Sequence, residues 1–226
     1  MTKPFLSVIV PVFNEENTVA QVIKKLLFQK EVGEIVVVDD GSIDNTLKEI
    51  HKRKDKRLRV FSKGNGGKGS AICYGLTKVT GEYVLIQDAD LEYDPEDIPA
   101  LLEPVRKGKA KVIYGSRFLG PHLNLLYWHR VGNSLLNFFV NILYNTTLSD
   151  TETCYKLLPV KLMKELNICS NNFDIEPEIT CKVLKRGISI YEVPISYVGR
   201  TYSAGKKITW RDGVTAFFTV IALRFR

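Results

Sequence analysis

Apolar residues fall in short unbroken runs through the first half of the chain, and each run is followed by a segment with helical spacing. "LSVIVPVF" (6–13), "EIVVVDD" (34–40), "RLRVFSK" (57–63), "YVLIQDAD" (83–90) and "AKVIYGS" (110–116) read as strands. Between them, "EENTVAQVIKKLLFQ", "NTLKEIHKR", "GSAICYGLTKV" and "PEDIPALLEPVRKG" read as amphipathic helices. Strands that are apolar at successive positions are buried on both faces. Their alternation with helices predicts an α/β fold, a doubly wound and mainly parallel sheet with helices on both faces and right-handed crossovers.

The rhythm changes after Arg117. "LLYWHRVGNSLLNFFVNILYN" predicts a long aromatic-rich helix, and "DIEPEITCKVLKRG" another. "ISIYEVPISYV" predicts a strand whose proline favours an edge or a bend. A basic stretch, "GRTYSAGKK", leads into a final apolar helix, "RDGVTAFFTVIALRFR". No repeat or low-complexity linker interrupts the chain. It reads as one domain, 1–226, with a first half to residue 117 and an elaborated second half from 118.

At 226 residues, with 45% hydrophobic and 25% charged side chains, the chain can build a proper core and does not resemble a disordered protein. The formal net charge of +7 suits a phosphorylated ligand, nucleic acid or an anionic membrane alike. Cys73, Cys154, Cys169 and Cys181 show no metal-ligand spacing and read as reduced thiols. "MTKPF" passes directly into the first strand, so no signal peptide is expected. No uninterrupted apolar run reaches the ~20 residues that span a bilayer. A cytoplasmic location is expected.

The polar residues gather where the apolar runs end. Asn14 and Glu15 follow the first, Asp39 and Asp40 the second, Lys63 to Lys68 the third, Asp88 and Asp90 the fourth, and Arg117 the fifth. In an open α/β sheet, ligands bind beyond the carboxyl ends of the strands, and here five ends agree. Asp39-Asp40-Gly41-Ser42 also suits a plain turn with a helix cap. Asp88 and Asp90 are harder to explain structurally, because capping before Pro95 accounts for Asp94 alone. Two carboxylates two residues apart can face one hard cation. Mg²⁺ or Mn²⁺ takes such oxygen ligands and completes its shell with water and phosphate oxygens. The same carboxylates argue against a nucleic-acid partner, whose phosphates they would repel without a metal.

Gly64, Gly66 and Gly69 satisfy GxGxxG between a strand and a helix, with Asp88 at a spacing suited to a ribose contact. An NAD(P)-binding oxidoreductase is therefore an alternative. That fingerprint normally follows the first strand of its fold, where this chain reads "PVFNEEN". The P-loop spacing fails, because Lys68 is followed by Gly69 and the upstream glycine is missing. The glycines and Lys68 still offer a surface for close approach of a nucleotide.

Taken together, "SVIVPVFNEENTV", "VVVDDGSIDNT", "GKGSAICYGL", "QDADLEYDPE" and "YGSRF" resemble family 2 glycosyltransferases of the GT-A fold. The resemblance covers nearly the whole chain in the right order. "VPISYVGRTYSAGKK" is similar to the branch that includes dolichyl-phosphate mannose synthase and related polyprenyl-phosphate glycosyltransferases. The resemblance implies inverting transfer of a hexose from GDP-mannose or UDP-glucose to dolichyl or undecaprenyl phosphate. It implies a nucleotide-sugar held at Pro11, Asn14, Glu15, Asp39, Asp40, Lys68, Asp88 and Ala89, with Mg²⁺ or Mn²⁺ on Asp88 and Asp90. Glu92 stands where dolichyl-phosphate mannose synthases commonly have glutamine, and is a third candidate metal ligand. Asp90, Arg117, Asp150 and Glu176 are the candidate catalytic residues. Asp150 matches the acid of a family motif in "LSDTETCYK", where Cys154 takes the usual glycine position. Glu176 is favoured among the acids of "FDIEPEIT".

An ionised lipid phosphate needs no general base, only cations that hold it beside the donor. Arg117, Arg130, Ser134, Arg200 and Lys206 are the candidate ligands of that phosphate, and the spacing of Arg130 and Ser134 puts both on one helix face. A glycan or lipid hydroxyl is the alternative acceptor and does require a base, for which Asp150 is the candidate. The last helix reads either as a core helix or as an interfacial anchor with Trp210 and Arg211 at the headgroups. Peripheral attachment to the cytoplasmic face of a membrane, with or without a membrane partner subunit, is expected.

Overall fold

The structure, a computed structural model, describes residues 4–124, 126–200 and 210–225, the side chains of 210 and 211 excepted. Strands and helices alternate through the first half as the pattern predicts. They are β1 (Leu6–Val12), α1 (Val19–Phe28), β2 (Val32–Asp39), α2 (Thr46–His51), β3 (Leu58–Ser62), α3 (Lys68–Lys78), β4 (Tyr83–Ile86), α4 (Ile98–Arg106) and β5 (Val112–Ser116). All seven residues of β1 are buried, the result of a central strand whose two faces are both covered by helices. Each fully buried Val, Leu or Ile there contributes about 1.5–3 kcal/mol relative to exposure.

The second half adds β6 (His122–Leu123), α5 (Tyr127–Tyr144), β7 (Lys156–Pro159), α6 (Val160–Glu165), α7 (Ile175–Lys185), β8 (Ile190–Pro194), β9 (Tyr197–Val198) and α8 (Trp210–Phe225). The main sheet runs β3-β2-β1-β4-β7-β5-β8, so strands from both halves share it. Its pairings are parallel except those of β7, which lies antiparallel to β4 and to β5. A two-stranded sheet of β6 and β9 stands apart.

Hydrophobic patterning does not announce β7. "KLLP" is four residues long and starts with a charged one. Lys156 is nonetheless fully buried. Its Nζ donates to Thr151 O at 2.8 Å and Thr180 Oγ1 at 3.0 Å, and it lies 3.7 Å from the centre of the Tyr114 ring. Burial pushes this amine down to about 7. The strand expected over 188–198 is divided into β8 and β9, and the break follows Pro194, whose ring cannot donate to a continuing ladder.

The last helix packs one face into the protein, as the core reading expects, and leaves apolar side chains exposed on another. Ala216 and Val220 are buried with Leu136 and Val140 of α5 and Cys181 of α7, in a small second core. Val214, Phe218 and Phe225 of the same helix are exposed. Among the described residues, no helix is long and apolar enough to cross a membrane.

Candidate active site

The carboxyl ends of β1, β2 and β4 surround a cavity of about 410 Å³. Pro11 of β1, Glu15 beyond it, Asp40 beyond β2 and Lys68 at the start of α3 line the cavity. So do Asp88, Ala89, Asp90 and Glu92 beyond β4, and Arg200 beyond β9. The parallel strands place these residues together because each ends at the same edge of the sheet. Leu91, at φ 65°, bends the chain after Asp90 so that the acids stay at this edge.

Two cations from distant segments neutralise the acids. Lys68 Nζ lies 2.7 Å from Asp88 Oδ1 and 2.7 Å from Glu176 Oε1 on α7. Burial alone would push this amine down, but Asp88, Cys154 and Glu176 hold it well above its ordinary value. Arg200 Nη2 contacts Asp90 Oδ2 at 2.9 Å and Glu15 Oε1 at 3.0 Å. Glu92 accepts from Arg200 N and from the Tyr197 hydroxyl, each at 2.7 Å. Burial, with the charges of Asp88 and Glu92, raises the Asp90 carboxyl to about 6 even against Arg200.

These residues fit a hard divalent cation. The candidate ligands are all oxygens, and burial and crowding with like charges disfavour the ionised form of Asp90 until more positive charge is supplied. Among the described residues no three acids converge as a ready-made cage. Mg²⁺ does not require one, since it is usually held by one or two carboxylates together with substrate phosphates.

Three sequence-predicted donor residues serve the loops around the cavity. Asn14 is stapled to the β2 exit, its N–H donating to Ser42 Oγ and its Oδ1 accepting from Ile43 N, both at 2.9 Å. Asp39 is buried, accepts from Ser42 N at 3.3 Å and does not line the cavity. Asp40 does line it, and accepts from Gly67 N at 2.7 Å, Gly66 N at 3.1 Å and Lys63 Nζ at 2.6 Å. The amides of Gly66 and Gly67 are thus occupied by a carboxylate, not held open for a dinucleotide phosphate. Gly67 has φ +93°, and a Cβ there would run into Asn171 O, so the loop requires glycine.

A second, smaller cavity shares Lys68, Asp88, Glu92 and Phe173 with the first. Arg117, Arg130, Asn133, Glu152 and Glu176 also line it. Arg117 is committed to Asp150 through three hydrogen bonds, and Asn133 Nδ2 reaches the same carboxylate at 3.2 Å. Asp150 itself is fully buried. Arg130 is exposed and its guanidinium lies 5.8 Å from the Phe118 ring centre. Ser134, one turn on, is exposed and does not line the cavity. Lys206 lies outside the described residues. Sequence reasoning missed Glu152, Asn133, Tyr197 and Phe173, although Glu152 lies within "LSDTETCYK", Tyr197 within "VPISYVGRTYSAGKK" and Phe173 at the head of "FDIEPEIT".

Residues 7–166 match the model of the family described as glycosyl transferase family 2. The chain is 33% identical over 201 residues to the low-salt glycan biosynthesis hexosyltransferase Agl6 of Haloferax volcanii, covering 86% of this chain and 48% of that protein. It is 28% identical over 201 residues to glycosyltransferase AglJ of the same organism, covering 88% of this chain and 65% of the relative. The chain therefore spans about half of one relative and just under two thirds of the other. Among solved structures, it matches glucosyl-3-phosphoglycerate synthase from Mycobacterium tuberculosis in complex with Mn²⁺, uridine diphosphate and glucosyl-3-phosphoglycerate. The TM-score is 0.77 at 18% identity, over 98% of this chain and 80% of that one, and the fold is GT-A.

Proposed function

The chain belongs to glycosyl transferase family 2, and we propose that it transfers a hexose, with inversion, from a nucleotide-sugar to a polyprenyl phosphate. The observation that carries this reading is the joined pair of cavities beside an apolar helix face. Tyr127, Val131, Leu135, Phe138 and Ile142 are all exposed on α5, at spacings of three and four that form one stripe. Val214, Phe218 and Phe225 are exposed on α8 in the same register. A stripe of this kind, on a helix whose Arg130 reaches the second cavity, suits a lipid surface that presents a phosphate.

In this reading the donor occupies the larger cavity, against Pro11, Glu15, Asp40, Lys68 and Ala89. Asp88, Asp90 and Glu92 would hold Mg²⁺ or Mn²⁺. Held there, the cation would supply positive charge to stabilise the leaving diphosphate. Lys68 and Arg200, now bound to the acids, are positioned to turn toward donor phosphates once the acids are otherwise neutralised. Arg117 and Arg130 receive the acceptor phosphate, with Ser134 and Lys206 as further candidates. Asp150, saturated by Arg117 and Asn133, positions the Arg117 loop and is not available as a base. An α-linked donor would give a β-linked product by single displacement.

The name of the relative Agl6, a glycan biosynthesis hexosyltransferase, supports a hexose donor and a glycan product, and that of AglJ supports glycosyl transfer. The NAD(P) alternative loses support because Gly66 and Gly67 donate to Asp40. The test is transfer to undecaprenyl or dolichyl phosphate from a panel of UDP- and GDP-sugars, with Mg²⁺ or Mn²⁺ and with Asp90→Asn alongside. A metal-dependent lipid product that the variant does not form is expected. Donor binding without any glycosylated lipid phosphate would sink the acceptor assignment.

A further inference from the structure

Asp88 and Asp90, read above as cation ligands, each already hold a cation of the protein itself. Lys68 Nζ is on Asp88 Oδ1 at 2.7 Å, and Arg200 Nη2 is on Asp90 Oδ2 at 2.9 Å. The other Asp90 oxygen serves its own loop, Oδ1 accepting from Glu92 N at 3.1 Å. The Asp90 oxygen not tied to that loop is therefore the one that Arg200 occupies.

Arg200 also has a second hold. Its Nη1 and Nη2 fork onto the two oxygens of Glu15, at 3.2 and 3.0 Å, and only Nη2 is shared with Asp90. Glu15 is fixed at the end of β1. Its N–H donates to Thr46 Oγ1 and its Oε2 accepts from Thr18 Oγ1, both at 2.8 Å. The main chain of Arg200 is fixed as well, because its N–H donates to Glu92 Oε1 and the preceding Gly199 N–H donates to Leu123 O. A guanidinium carries five N–H donors, so Arg200 can leave Asp90 without leaving Glu15. All three side chains are mostly buried, where the loss of a partner matters most.

Resting on the donor and cation reading proposed above, we infer that Arg200 is an intramolecular counter-cation that blocks the metal site until the donor diphosphate arrives, and that Glu15 is the positioning residue that keeps Arg200 in place when Asp90 releases it. In the resting protein Arg200 offsets the crowding of Asp90 by Asp88 and Glu92. A divalent cation that takes Asp90 must first displace this side chain, and so binds weakly by itself. A nucleoside diphosphate offers the released N–H groups new acceptors, since phosphate oxygens suit the guanidinium fork. Cation and diphosphate then bind better together than either does alone. One side chain carries that coupling between the two ligands.

The experiment titrates Mn²⁺ by calorimetry into the parent, Arg200→Gln, Arg200→Lys and Lys63→Gln, first without nucleotide and then with UDP or GDP present. Asp90→Asn should abolish the Mn²⁺ signal, which identifies the site. Arg200→Gln is expected to bind Mn²⁺ alone about 5- to 50-fold more tightly than the parent. The factor by which Mn²⁺ improves nucleotide affinity is expected to shrink in the same variant. Arg200→Lys keeps the charge but not the fork and should fall between the two. It carries the test if Arg200→Gln does not fold. Lys63→Gln removes a positive charge that pairs with Asp40 beside the same cavity, and should change Mn²⁺ affinity by no more than about threefold. Thermal unfolding gives a second readout: without metal Arg200→Gln should be less stable than the parent, and Mn²⁺ should stabilise it more.

A merely structural Arg200 would lower stability and leave Mn²⁺ affinity and the coupling unchanged. That result, with both ligands binding to the parent, overturns this inference alone. So does a Lys63→Gln protein that tightens Mn²⁺ binding as much as Arg200→Gln, or a Mn²⁺ signal that survives Asp90→Asn. A parent that binds neither Mn²⁺ nor a nucleoside diphosphate sinks the function proposed above, and this inference with it.

Discussion

Arg117 grips Asp150 through two parallel contacts, Nε to Oδ2 at 2.8 Å and Nη2 to Oδ1 at 2.7 Å, while its own N–H also reaches Oδ2 at 3.0 Å. With Asn133 on Oδ1, each carboxylate oxygen accepts two hydrogen bonds. The pair fastens the end of β5 to the loop before β7, where the second cavity forms. Removing one member leaves the other charged and buried. Asp150→Ala is expected to lower unfolding free energy by about 3–5 kcal/mol, read by denaturant titration. A change under about 1 kcal/mol would mean that Arg117 finds water or another partner.

Lys68 serves two acids at once, Asp88 and Glu176, and both contacts are mostly buried. Lys68→Met leaves two carboxylates facing each other across the junction of the cavities. The single variant is expected to lose stability and to bind nucleotide-sugar weakly. Lys68→Met/Glu176→Gln should regain part of the stability, because one of the stranded charges is gone, but not the donor affinity. Thermal unfolding and calorimetry separate the two effects. A double variant no more stable than the single would show that Glu176 carries no charge in the variant.

Glu34 lies at the opposite end of the sheet and provides a pH test independent of the site. It accepts from Ser7 Oγ at 2.5 Å, Arg59 Nη1 at 2.6 Å and Thr80 N at 2.8 Å. Burial disfavours its charge, but the hydrogen bonds from Ser7, Thr80 and Arg59 outweigh burial and lower its pKa from 4.5. A carboxyl depressed on folding stabilises the protein above its unfolded pKa, and the contribution is lost as pH falls through the folded value. Glu34→Gln is therefore expected to be about 1–3 kcal/mol less stable at neutral pH. The difference should shrink as pH drops below 4.5. An equal gap at neutral and strongly acid pH would contradict the assignment.

The alternation of strands and helices was legible because burial imposes a local pattern. A strand covered on both faces must be apolar at successive positions, as β1 and β2 are, and the helices that cover it need one apolar stripe. The donor cavity was legible for a related reason. Parallel strands end at one edge, so the polar residues just after each run converge whatever the details of packing. Pro11, Glu15, Asp40, Lys68, Asp88, Ala89 and Asp90 all line that cavity.

The partners of those residues depend on contacts between segments far apart in the chain, which no local pattern records. Neither the pairing of Arg200 with Asp90 and Glu15 nor that of Lys68 with Glu176 can be read from spacing. The reversed insertion of β7 is hidden by a lysine that looks like surface and is buried because Thr151, Thr180 and Tyr114 surround its amine. Of the two acids in "SDTE", Asp150 and Glu152, sequence pattern favours the first. The tertiary structure saturates Asp150 with Arg117 and Asn133 and sets Glu152 on the wall of the second cavity, with no hydrogen bond to its carboxylate among the described residues. Sequence determined which chemistry gathers at the sheet edge, because periodicity is local. Only the fold decided which charges are already paired, because pairing is a matter of distance in space.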